Sequence, residues 1–183
     1  MFYKLPPVGN RIITSPARVH EAGHKLPEFL LGHKAKFYAS GTAALASAIT
    51  AAIKLKSKQL QDRPPAEVIL PAYACPDLVS AICFTGAIPV LVDIEYQRPW
   101  LDLAKLSDAI TENTVALVGV NLFGISERWQ QIRELTSQHD IILIEDSAQY
   151  FPAAEDVEGW QGDLVVFSFG RGKPVSLLGG GAV

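Results

Sequence analysis

The chain has 183 residues, 49% of them apolar and 19% charged, with 16 Lys and Arg against 19 Asp and Glu for a formal net charge of −3. That length supports one sizeable core, and a slightly acidic balance with no basic cluster excludes the electrostatic footprint of a nucleic-acid or anionic-membrane binder. No apolar run approaches the ~18 residues of a spanning helix, and the start, Met1 to Pro7, lacks a signal peptide's charged and apolar regions, so the expected location is cytoplasmic.

Residues 1–40 read as an irregular segment broken by Pro6, Pro7 and Pro16. Within it, His20-Glu21-Ala22-Gly23-His24 fits the His-Glu-x-x-His pattern of zinc hydrolases, in which two histidines one helical turn apart hold the metal and the glutamate activates water. Gly23 weakens the helix that pattern needs, and Leu30 stands where one protease class has its third histidine, so zinc chemistry is the minor alternative. After Ser40-Gly41-Thr42, the alanine-rich run Ala43 to Lys58 reads as a helix.

An alternation follows: strand Val68–Leu70, helix Pro76–Phe84, strand Ile88–Val92, helix Leu103–Ile110, strand Val115–Val120, helix Trp129–His139, strand Ile141–Ile144. A last strand, Leu164–Phe169, comes after a polar loop containing Gly159 and Gly162. Cys75 and Cys83 fit no zinc or redox spacing, and they read as two buried thiols. Runs of consecutive apolar residues indicate strands covered on both faces. The fold class is therefore α/β, a mostly parallel sheet with helices on both faces.

In such sheets ligands collect beyond the carboxyl ends of the strands, where the sequence places Asp93, Asn121, Asp146 and Ser168. Each taken singly serves equally well as a cap for the next helix. Lys173, in the glycine-rich turn after the last strand, adds an amine. A lysine amine forms a Schiff base with an aldehyde, and pyridoxal 5'-phosphate then acts as an electron sink at an amine-bearing carbon. That cofactor needs an amine, a carboxylate for its ring nitrogen and donors for its phosphate, ideally at a helix N-terminus. Lys173, Asp146 and the Ser40-Gly41-Thr42 turn with Ser168 can meet these demands. Gly172-Lys173 is no phosphate-binding loop of the nucleotide kind, because Pro174 follows and Phe167 stands at the first glycine's place. Gly170 and Gly172 lack the third glycine of a dinucleotide fingerprint.

Five blocks occur in order: Ser40-Gly41-Thr42-Ala43-Ala44-Leu45, Pro89-Val90-Leu91-Val92-Asp93, Asn121-Leu122-Phe123-Gly124, Glu145-Asp146-Ser147-Ala148-Gln149, and Phe167-Ser168-Phe169 with Lys173. Together they resemble the DegT/StrS family of pyridoxal-phosphate-dependent sugar aminotransferases, from about Gly41 to Val183. The resemblance implies the large domain of an aspartate-aminotransferase-like, fold type I enzyme, with residues 41–183 as its cofactor-binding part. It implies Lys173 as the catalytic amine, Asp146 on the pyridinium nitrogen, Gln149 beside the ring's phenolic oxygen, and Gly41, Thr42 and Ser168 around the phosphate. It further implies amino transfer, with glutamate as donor, onto a nucleotide-linked keto sugar for polysaccharide synthesis, carried out by a homodimer.

Two departures accompany the resemblance. Cys75 stands where many members place an aromatic ring that stacks on the cofactor, and Tyr73 is left out of the site. The family continues past Val183 into a last strand, a connecting helix and a small C-terminal domain. The expectation is an N-terminal portion that is weak or inactive alone, with a non-catalytic cofactor- or partner-binding remnant as the alternative.

Overall fold

The longest apolar runs of the chain form the middle of one seven-stranded sheet. The computed structural model describes residues 34–56, 65–151 and 160–183. Along the chain come β1 (Phe37–Tyr38), α1 (Gly41–Lys56), β2 (Glu67–Pro71), α2 (Pro76–Phe84), β3 (Ile88–Val92), α3 (Leu103–Ala109) and β4 (Thr114–Val120). A single 3-10 turn (Leu122–Gly124) then leads to α4 (Trp129–Gln138), β5 (Ile142–Asp146), β6 (Leu164–Ser168) and β7 (Gly181–Ala182). The spatial order is β1-β7-β6-β5-β4-β2-β3. Strands β6, β5, β4, β2 and β3 run parallel, while β7 lies antiparallel to both β6 and β1.

Burial explains the unalternating strand sequences. All seven residues of β4 are buried. Val68 and Leu70 of β2 and Ile144 of β5 pack into a cluster with Leu45, Ala48 and Ile49 of α1 and Leu78 and Ile82 of α2. Their neighbours Ile69 and Leu143 face the opposite way, into a cluster with Leu106 of α3 and Trp129 and Ile132 of α4. Successive side chains thus enter two cores, so both faces must be apolar. The expected α/β architecture is the one observed.

Three local differences have physical causes. Two-residue strands carry no periodicity, and β1 therefore lies inside the segment read as irregular; Phe37 pairs with Ala182 and Tyr38 with Gly181. The apolar run of β3 is an edge strand with Ile88 and Leu91 44% and 57% exposed, so it is not covered on both faces. Cys75 and Cys83 are exposed rather than buried. Cys75 stands just before α2 as its N-cap residue, and Cys83 lies on the outward side of that helix.

The topology opens a crevice. Strand β2 leads into α2 on one face, whereas its neighbour β4 leads into α4 on the other, so the chain departs in opposite directions at adjacent carboxyl ends. Among the described residues no helix is long and apolar enough to cross a membrane.

Candidate active site

Beyond the carboxyl ends of β4, β5 and β6, an open cleft lies against the first turns of α1 and α2. Its lining includes Gly41, Thr42, Asp146, Gln149, Ser168 and Lys173, together with Cys75 and Asp77 from the start of α2. The structure thus brings together all six residues singled out in the sequence as a site.

Asp146 ends β5 and is only 5% exposed. Its Oδ1 accepts the Ala148 N–H at 2.8 Å. Burial pushes its carboxyl above the usual range, while the Ala148 bond and the charge of Lys173 pull it down. A carboxylate this desolvated, with one hydrogen bond and one nearby ammonium group among the described residues, favours a further cation. Lys173 reaches the same cleft from the turn after β6. Its N–H donates to the Gly170 carbonyl at 3.3 Å, and Gly172 takes a φ of 78°, a left-handed conformation that glycine adopts without strain.

The opposite wall is the start of α1. Ser40 Oγ accepts the Ala43 N–H at 3.1 Å, and the Ser40 carbonyl accepts Ala44 N–H at 3.1 Å, which fixes where the helix begins. Helix geometry leaves the N–H groups of Gly41 and Thr42 without intrahelical acceptors, and no acidic residue occupies the first turn. This end presents donors and a positive dipole to the cleft. Thr42 Oγ1 donates to Asp77 Oδ2 at 3.3 Å, joining the starts of α1 and α2. That contact was not legible in the sequence, because 35 residues separate the partners.

Not every polar strand end faces the cleft. Asp93 is engaged by Lys105 at 2.8 Å on the exposed edge. Asn121 is completely buried and bonded to Glu145, Ser147, Glu127 and Trp129. Gln149 lines the cleft with its Oε1 held by the Phe123 N–H at 2.7 Å, which leaves its Nε2 as the donor end. The sequence reading missed the buried Glu145 network. The signal was present in the doublet Glu145-Asp146, since adjacent acids on a strand covered on both faces must each find partners on opposite sides.

The His20 to His24 motif lies outside the described residues. Among the described residues no group of three or more His, Cys, Asp or Glu could hold a metal ion.

Comparisons agree with this geometry. The chain is 34% identical over 175 residues to dTDP-3-amino-3,4,6-trideoxy-alpha-D-glucose transaminase of Streptomyces venezuelae, an alignment covering 91% of this chain and 46% of that protein. It is 27% identical over 187 residues to UDP-N-acetyl-3-dehydro-alpha-D-glucosamine 3-aminotransferase of Acidithiobacillus ferrooxidans, covering 97% of this chain and 50% of that one. Among solved structures, a sugar aminotransferase of Streptococcus pneumoniae in its PLP form superposes with a TM-score of 0.76 at 25% identity, over 98% of this chain and 52% of the other. The chain spans about half the length of these relatives. Residues 9–183 match a single family along their whole length, and the chain belongs to the DegT/DnrJ/EryC1/StrS aminotransferase family.

Proposed function

We propose that this chain contributes the cofactor-binding part of a pyridoxal-phosphate-dependent aminotransferase acting on a nucleotide-linked keto sugar, with glutamate as the amino donor. The observation that carries the reading is the joint presence, in one cleft, of the Lys173 amine, the desolvated Asp146 carboxylate and the start of α1, whose first turn holds no acidic residue. Those residues fit the cofactor's three demands: Asp146 calls for a cation, the helix start for an anion, and Lys173 for an aldehyde. The sugar substrate is supported by relatives whose names specify dTDP- and UDP-linked sugars. A homodimer and a cytoplasmic setting belong to the same reading.

Bound there, pyridoxal phosphate supplies an electron sink for bonds at an amine-bearing carbon. In this reading Asp146 would hold the ring nitrogen through a charge-assisted bond, which would lower the carboxyl's own pKa from its raised value. The start of α1 at Gly41 and Thr42, with the Ser168 hydroxyl, would hold the phosphate. Gln149 Nε2 would donate to the phenolic oxygen, with the amide's orientation set by the Phe123 N–H. Lys173 Nζ would hold the aldehyde carbon and would carry the proton at the substrate carbon. Residues 41–183 form the domain that does this work.

Adding pyridoxal phosphate to the chain is expected to produce an absorbance band distinct from that of the free aldehyde, absent in Lys173→Ala. A band that persists in that variant would remove Lys173 from the reading.

A further inference from the structure

The ladder between β4 and β5 ends with Val120 opposite Asp146. Strand pairing therefore stops at the residue whose carboxylate matters most in the proposed reaction. Beyond that point the two strand ends are joined by Asn121. Its backbone N–H donates to the carbonyl of Asp146 at 3.1 Å. Its side-chain Nδ2 donates to Glu145 Oε1 at 3.2 Å and to Ser147 Oγ at 2.9 Å. Its Oδ1 accepts the Glu127 N–H and the indole N–H of Trp129, each at 3.1 Å. Two donor hydrogens and two lone pairs are all that a side-chain amide offers, so this one is saturated.

The two residues gripped by Nδ2 are the immediate neighbours of Asp146 on either side, and both are 2% exposed. Ser147 Oγ donates onward to Glu145 Oε1 at 3.1 Å, and Glu145 Oε2 accepts the N–H groups of Gln161 and Gly162 at 2.9 and 3.1 Å. Neither neighbour can shift without breaking bonds in a buried network, where each unmade bond is costly.

We propose that Asn121 is a positioning residue, which clamps Glu145 and Ser147 and thereby fixes the Asp146 carboxylate opposite Lys173 across the cleft. Its significance for the reaction rests on the function proposed above. Asn121 does not line the cleft itself; it acts through the backbone of residues 145 to 147. The charged groups sharing the cleft with Asp146 are Lys173, on the turn after β6, and Asp77, at the start of α2; Glu145 lies on the opposite face of β5.

The test follows the Asp146 carboxyl carbon by NMR against pH in the full chain without cofactor, in the unaltered protein and in Asn121→Ala, Ser147→Ala and Ile132→Val. Releasing the clamp admits water, so Asn121→Ala is expected to lower the Asp146 midpoint toward the ordinary carboxylate value. Ser147→Ala, which removes one bond only, shifts it the same way by less. Ile132→Val, in the core beneath α4 and outside the clamp, lowers the melting temperature and leaves the midpoint in place. An unmoved midpoint in folded Asn121→Ala overturns the proposal, as does an unmoved midpoint in Ser147→Ala should the first variant not fold. An equal shift in Ile132→Val overturns it too, because the shift would then follow lost stability alone. No cofactor enters this experiment, so its failure is distinct from the absence of the Lys173-dependent band.

Discussion

A Cβ placed on Gly41 would stand 2.6 Å from the Cβ of Ser168 and 2.8 Å from its hydroxyl oxygen. The first helical residue of α1 and the last residue of β6 are thus in contact through the absence of a side chain. That proximity lets the N–H groups of α1 and the Ser168 hydroxyl address one anion. Gly41→Ala is expected to push the helix start away from β6, destabilising the chain by about 1–3 kcal/mol and weakening pyridoxal phosphate binding at least tenfold. Urea unfolding and a fluorescence titration with the cofactor measure the two effects. Unchanged affinity would detach Gly41 from the phosphate cradle.

Asp146 is held above the usual carboxylate range by burial. A group whose folded pKa exceeds its unfolded value binds more protons in the folded state, so stability is lost as pH rises through the folded pKa and is recovered below the unfolded one. Asp146→Asn keeps an acceptor for the Ala148 N–H and removes that titration. Without cofactor the variant is expected to melt about 2–4 °C higher at neutral pH, which corresponds to roughly 1 kcal/mol in a domain of this size. The gain should shrink as pH falls through the carboxylate range, and the variant should bind pyridoxal phosphate poorly. Thermal melts across that range check it; a lower melting temperature at neutral pH would contradict the desolvation reading.

The middle of the sheet and the cleft were legible because they rest on strong local signals. Consecutive apolar residues in β4 and β5 reflect cores on both faces, and Asp146, Ser168 and Lys173 stand at strand ends, where an α/β sheet gathers its ligands. Elements defined by partners rather than by their own residues stayed hidden. Strands β1 and β7 exist because Phe37 and Tyr38 find Ala182 and Gly181. The inward turn of Asn121 depends on Glu145, Ser147, Glu127 and Trp129. The exposure of Cys83 could not be read from its spacing to Cys75, because spacing says which residues share a face but not which way it points.

Glu127, 6% exposed, ties two loops together. Its Oε2 accepts the Leu101 N–H at 2.9 Å and its Oε1 accepts the Arg128 N–H at 2.8 Å. Burial raises its pKa, opposed by those two bonds and by the Arg128 charge. Glu127→Ala would leave two N–H groups without their acceptor and is expected to cost about 2–3 kcal/mol. Glu127→Gln, which keeps one acceptor oxygen, should cost less. Because Glu127 does not line the cleft, cofactor affinity in folded Glu127→Gln should match the unaltered chain. Denaturant unfolding ranks the variants, and equal stability of all three would show that the loops are held elsewhere.

Two of the other described amines are held by carboxylates, Lys56 by Asp140 at 2.6 Å and Lys105 by Asp93 at 2.8 Å, whereas Lys173 stands in the cleft. The most direct measurement is therefore chemical mapping of the attachment point. The chain is mixed with pyridoxal phosphate, reduced with borohydride to make the linkage permanent, digested and sequenced by mass spectrometry. The expected result is a phosphopyridoxyl group on Lys173, lost when Asp146→Asn is treated at the same cofactor concentration. A group on any other lysine, with Lys173 unmodified, would contradict the assignment of this cleft.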